Sequence, residues 1–141
     1  MSYSQVRTYV RSRVFATCPE LKEWKDAFNF QNIPNDVINT YYHIEYGPVS
    51  TLKDDATLED SMTLTVRVFK KAYGETSDEM DSIMDKALCM RQAIISKVDV
   101  AQTDNIREIE GSLITPLAFD DSNDNIIQVD LEFNVRLYFC S

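Results

Sequence analysis

Basic charge is in short supply in this 141-residue chain: 14 Lys and Arg stand against 23 Asp and Glu, a net charge of −9. Phosphate contacts supply much of a nucleic-acid binder's affinity and need a cationic surplus, so a stable DNA or RNA binder is disfavoured. An anionic membrane surface is disfavoured for the same reason. The three glycines lie far apart, which excludes a glycine-rich phosphate loop. His43 is the single histidine, so no multi-histidine metal site can form within one chain. Cys18, Cys89 and Cys140 are an odd count with no close pair and no zinc spacing. They read as reduced thiols of a cytoplasmic protein rather than a disulfide framework. No apolar run approaches the roughly 18 to 20 residues that cross a bilayer. Nor does Met1-Ser2-Tyr3-Ser4-Gln5 begin a signal peptide, since no basic stretch precedes an apolar one.

What the chain does have is apolar content, 44% of its residues, enough for one continuous core. The expectation is a single α+β domain spanning 1–141. Tyr3, Val6, Val10 and Val14 recur at helical spacing after a Ser2/Gln5 capping box, and Cys18-Pro19 ends that helix. Glu20 to Asn39 is less regular. Leu21, Trp24 and Phe28 suit a short helix or an anchored segment on the sheet edge, and Pro34-Asn35-Asp36 signals a turn. A strand is expected from about Thr40 to Tyr46, stopped by Gly47-Pro48. Val49 to Asp60 reads as an acidic loop. Met62, Leu64, Val66 and Val68 alternate with polar residues as a second strand, until Phe69 breaks the alternation.

Thr76 and Glu79 open a second helix with a capping box and acidic residues where the dipole favours them. Its apolar stripe runs through Met80, Ile83, Met84, Ala87, Leu88, Ile94, Ile95 and Val98, and the helix is expected to end near Val98. Ile106 to Phe119 forms the first arm of a hairpin, with Pro116 suited to an edge or bulge. Asp120 to Asn125 is the turn. In the closing strand, Ile127, Val129, Leu131, Phe133, Val135, Leu137 and Phe139 share one face, and polar residues occupy the other. The expected fold is an antiparallel four-stranded sheet with two main helices packed on one face, in the order α-β-β-α-β-β.

Candidate chemistry is thin. A catalytic triad would have to use His43, but a strand histidine with local hydrogen bonds is the simpler reading. Cys89 sits mid-helix beside Leu88 and Met90 and reads, like the other thiols, as buried and inert. Asp121, Asn123, Asn125 and Glu132 match the oxygen positions of a calcium loop. Ile126 stands where that loop needs glycine, however, and a solvated hairpin turn explains the same residues. No cofactor, metal or catalytic residue is therefore expected. Tyr41, Tyr42, Phe28 and Phe30 are aromatic candidates for partner contacts, with core or edge packing the simpler account.

The element order and several strings together resemble the tail terminator (tail completion, or tail-to-head joining) proteins of long-tailed bacteriophages. These strings are Trp24-Lys25-Asp26-Ala27-Phe28-Asn29-Phe30-Gln31-Asn32-Ile33-Pro34, Tyr42-His43-Ile44, Leu64-Thr65-Val66-Arg67-Val68-Phe69 and Ser122-Asn123-Asp124-Asn125. The resemblance covers nearly the whole chain. It implies a structural, non-enzymatic virion subunit, assembled in the host cytoplasm, that closes into a homo-hexamer ring on the tail tube. Such a ring stops tube polymerisation and joins the tail to a head-completion or connector protein. In sheathed tails it also touches the sheath protein. Genome DNA transits the lumen without specific binding, and no membrane is involved. On this reading Asp54, Asp55, Glu59 and Asp60 face a lumen or a partner, and the acidic excess concentrates toward the lumen. Another phage neck or baseplate adaptor, or a small cytoplasmic enzyme or ligand-binding α+β domain, remains an alternative.

Overall fold

The structure is a computed structural model that describes residues 2–25, 39–53, 58–72, 76–103, 106–121 and 124–138. The elements are α1 (Ser2–Thr17), β1 (Lys22–Glu23), β2 (Tyr41–Lys53), β3 (Leu58–Ala72), α2 (Thr76–Ile95), α3 (Lys97–Ala101), β4 (Ile106–Asp121) and β5 (Asp124–Tyr138). One sheet runs in the order β1-β2-β3-β5-β4. The β2/β3, β3/β5 and β4/β5 pairs are antiparallel, and β1 joins β2 in parallel.

The α+β class is as expected, but the sheet differs from the expected one in two ways. Among the described residues it has five strands, and it is mixed. The added strand is β1, where Lys22 lies opposite Tyr41 and Glu23 opposite Tyr42. The amides of Lys22 and Trp24 reach the carbonyls of Thr40 and Tyr42 at 3.1 and 2.7 Å. Two residues cannot display a period, so no strand was legible there. Phe28, Phe30 and the Pro34-Asn35-Asp36 turn lie outside the described residues.

The middle strands are longer than the turn signals suggested. Gly47-Pro48 does not stop β2. The strand bulges between Tyr46 and Val49 and continues to Lys53, paired with Leu58. The expected loop from Val49 to Asp60 is therefore mostly hairpin, with only 54–57 between the arms. A bulge absorbs one or more extra residues in a ladder, which is how the sheet accommodates a proline lacking an amide hydrogen. The β4/β5 hairpin is likewise tighter than expected, since Asp121 pairs with Asp124. Pro116 sits on β4, an edge strand, as its missing donor requires.

The core lies between the helices and one face of the sheet. From β5, Ile127, Val129, Leu131, Phe133, Val135 and Leu137 are all fully buried. They meet Met62, Leu64, Val66 and Val68 of β3, Val6, Val10 and Val14 of α1, and Ile83, Ala87, Met90 and Ile94 of α2 in one cluster. Each such side chain contributes about 1.5–3 kcal/mol on leaving water, so β5, paired with β3 on one side and β4 on the other, anchors the fold. A charge at Leu131 or Phe133 would be the single change most damaging to it.

Helix α2 ends at Ile95, earlier than Val98. Ser96 interrupts it with an extended ψ of 117°, and α3 follows. Val98 is therefore not on the buried stripe: it is 71% exposed, while Val100 of α3 takes the core position.

Candidate functional site

The alternation that buries one face of β3 and β5 places their charged residues on the other. Register brings His43, Arg67, Asp130 and Thr115 into one row across β2, β3, β5 and β4. Arg67 is the hub. Its Nη2 and Nε reach Glu45 Oε2 at 3.0 and 3.2 Å, and its Nη1 reaches Asp130 Oδ2 at 3.1 Å. Gln128, itself buried, donates to Asp130 Oδ1 at 2.6 Å. One cation thus ties three strands together, with two carboxylates sharing it. Each strand contributes a residue at period 2, but only the pairing makes them neighbours.

A second, smaller apolar cluster occupies one end of this face. Phe69 and Ile126 are buried there against the partly buried Trp24 and Tyr41. Tyr41 stacks on Phe69 at 5.9 Å and meets Trp24 edge-on at 6.1 Å. This is why Phe69 breaks the alternation of β3: it serves the opposite face from Val68. Tyr42 points to the main core instead, where burial pushes its hydroxyl up to about 12.

His43 is buried, and its Nδ1 donates to the carbonyl oxygen of Trp24 at 2.6 Å. A carbonyl only accepts, so the neutral ring carries its hydrogen on Nδ1. The ring pins the chain after β1 to the sheet. Its Nε2 lies 3.9 Å from Glu45 Oε1. Nearby, Arg11 of α1 grips Glu23 of β1 with two contacts, at 2.5 and 2.8 Å, and this partner raises the guanidinium pKa further. Arg7 lies over the Tyr46 ring at 4.8 Å.

A groove of about 710 Å³ separates the end of α2 and α3 from β4. Its walls carry Arg91, Lys97 and Arg107 together with Glu108 and Glu110. Glu108 also faces Arg136, at 3.7 Å. Arg91 lies against Gly111, where its Nη2 donates to the glycine carbonyl at 3.2 Å. No side chain could stand at position 111 without meeting that guanidinium. Three cations and two carboxylates thus line one groove. Sequence reasoning missed it because the three cations are spread over three elements and form no run.

Of the carboxylates singled out from sequence, Asp54 and Asp55 lie outside the described residues. Glu59 and Asp60 are on β3, opposite Leu52 and Thr51 of β2, and Asp60 is half-buried. They belong to hairpin arms and not to a loop. Glu132, from the calcium pattern, is a strand residue opposite Thr65 and Leu113. Among the described residues no three of His, Cys, Asp and Glu converge as a metal centre would need. The thiols need one correction. Cys18 is buried, and burial pushes its thiol up, but Cys89 is exposed. The two are close enough that Cys89 adds to the Cys18 shift. Among the described residues no helix is long and apolar enough to cross a membrane.

No family model matches the chain, and no curated protein matches it. Among solved structures it is similar to a chain in the virion of the native gene transfer agent (GTA) particle. The TM-score is 0.62 at 14% identity, over 95% of this chain and 92% of that one. At that identity the likeness establishes a shared fold.

Proposed function

We propose that the chain is a structural virion subunit of a tail terminator type, which closes with copies of itself into a ring on the tail tube. The observation that carries this reading is the end-to-end likeness of fold to a chain of the GTA virion. The strings that resemble tail terminators point the same way. The ring, a homo-hexamer, stops tube polymerisation and joins the tail to the head connector while DNA passes through its lumen. The role is structural rather than enzymatic, and His43, committed through Nδ1 to Trp24, serves packing. A wall short of positive charge lets phosphates slide past, so the acidic excess faces the lumen, with Asp54, Asp55, Glu59 and Asp60 at the lumen or at a partner.

Light scattering tests the ring directly. Six subunits of 16.2 kDa give about 97 kDa. A strict monomer at high concentration, with no ring visible by negative stain even on purified tail tubes, would sink the proposal. In assembling particles that lack the chain, tubes should grow past their normal length. A map of the ring with a basic lumen would refute the charge argument and leave the ring standing.

A further inference from the structure

We infer that the pocket where α1 meets the end of β1 and the edge of β2 binds one small tetrahedral oxyanion of the phosphate class. The site stands apart from the ring reading, and neither depends on the other.

The pocket has a volume of about 190 Å³. Arg7 and Arg11 of α1 line it, together with Glu23, Trp24 and Lys25 from β1 and the residues after it. A water takes up about 30 Å³, so the space suits one hydrated anion. It is too small for a nucleotide, since sites for larger ligands begin at about 300 Å³.

The charges in the pocket do not cancel. Both oxygens of Glu23 are taken by Arg11, through Nε and Nη2. Glu45, close to His43 in the pocket wall, is held by Arg67 at 3.0 Å. Arg7 and Lys25 are left, and among the described residues neither has an ion-pair partner. The Arg7 guanidinium lies over the Tyr46 ring at 4.8 Å. A ring beneath the guanidinium face leaves the N–H groups at its rim available to an anion. Two unmatched cations thus meet in a chain whose net charge is −9.

Neutral donors complete the set. The Trp24 indole Nε1–H is buried and has no hydrogen-bond partner among the described residues. A buried donor without an acceptor is destabilising, and an anion oxygen is the acceptor that relieves it. His43 holds this residue in place, its Nδ1 donating to the Trp24 carbonyl at 2.6 Å. The Tyr42 carbonyl accepts from the Trp24 amide at 2.7 Å, so the backbone polar groups of Tyr42 face β1. Those of Ile44, two residues on, face the same side, past the point where β1 ends at Glu23. Donors therefore come from α1, from the chain after β1 and from β2. An anion with oxygens on every side can use all three, whereas a planar carboxylate uses donors in one plane.

Trp24 is the chain's single tryptophan, so its fluorescence reads the site directly. The full-length protein is titrated with sodium phosphate, with sodium chloride holding ionic strength constant. Emission should change saturably, and the melting temperature should rise with phosphate. Arg7→Gln and Lys25→Gln should each weaken the apparent affinity about tenfold, the worth of one charge-assisted hydrogen bond. Melting in chloride alone will show that both variants fold, and Lys25 is exposed. Lys97→Gln removes an exposed cation on α3 and should bind like the wild type. A short DNA duplex at equal phosphate concentration should leave the emission unchanged. The site is overturned if phosphate alters neither emission nor melting, or if both pocket variants bind it as tightly as the wild type. Acetate binding as tightly as phosphate overturns the tetrahedral assignment. A response to the duplex with none to phosphate overturns the small-anion site in favour of a nucleic-acid contact.

Discussion

The hydroxyl of Tyr9 donates to the carbonyl oxygen of Ile94 at 2.7 Å, joining α1 to the last turn of α2 across 85 positions of sequence. Carbonyls of a last turn have no partner within their own helix, and α2 has no basic residue there to supply one. Helix α1 provides both. Besides Tyr9, Arg13 donates through Nε to the carbonyl of Ala93 at 3.1 Å and pairs with Asp99 of α3 at 3.0 Å. The Tyr9→Phe variant keeps the apolar contacts and loses this bond. It should cost about 1 kcal/mol in urea unfolding, with an unchanged slope.

Burial raises the Tyr9 and Tyr42 hydroxyls from 10.0 to about 12. Between those values the folded chain holds protons that the unfolded chain has released, so stability falls as pH rises. The contribution is fully present below pH 10 and lost through about pH 12. Thermal midpoints should therefore decline across this window. The decline should be shallower in Tyr9→Phe/Tyr42→Phe, and equal slopes in the two proteins would refute the assignment.

Arg67 holds two carboxylates on the far face of the sheet. Asp130 is the more buried of them, with 15% of its side chain exposed against 42% for Glu45. Arg67→Met should cost about 1–2 kcal/mol, mostly through Asp130, since the exposed half of the network is screened. A second change, Asp130→Asn, should then cost less in the Arg67→Met background than in the wild type, as a double-mutant cycle would show.

Gly47 and Gly111 should respond differently to alanine. At Gly47 a Cβ would lie 2.9 Å from Thr63 Cβ and 3.1 Å from its carbonyl oxygen, and backbone in a paired strand cannot yield. That variant should lose about 1–3 kcal/mol in denaturation. At Gly111 the three atoms nearest the new Cβ all belong to the Arg91 guanidinium, at 2.5 to 2.7 Å, the movable end of a long side chain. There the loss should stay below about 1 kcal/mol, the worth of one hydrogen bond.

The two described thiols should be distinguishable by alkylation. Cys89 is exposed, whereas Cys18 is buried with its thiol pushed up by burial and by Glu20. In a Cys140→Ser background, iodoacetamide should label Cys89 in the native protein and reach Cys18 only on unfolding. Equal rates by mass spectrometry would contradict that placement.

Some of this was legible in the residues alone. The period of 2 in β5 and the three- and four-residue spacing in α1 belong to the backbone, and each predicts a buried face whatever covers it. Pro116 announced an edge because a missing amide hydrogen has the same consequence in any sheet. Other features required the tertiary structure, because they depend on which strand lies next to which. Pairing of β3 with β5 joined the two hairpins and made β4 an edge, while pairing of β2 with β3 carried β2 through Gly47-Pro48, where ladder bonds outweighed a local turn signal. The same register set Glu45, Arg67 and Asp130 within reach of one another from three strands. Arg91, Lys97 and Arg107 became one groove only when α2, α3 and β4 packed together. Local period is written in the chain, whereas the meeting of distant charges is set by the packing that buries the core.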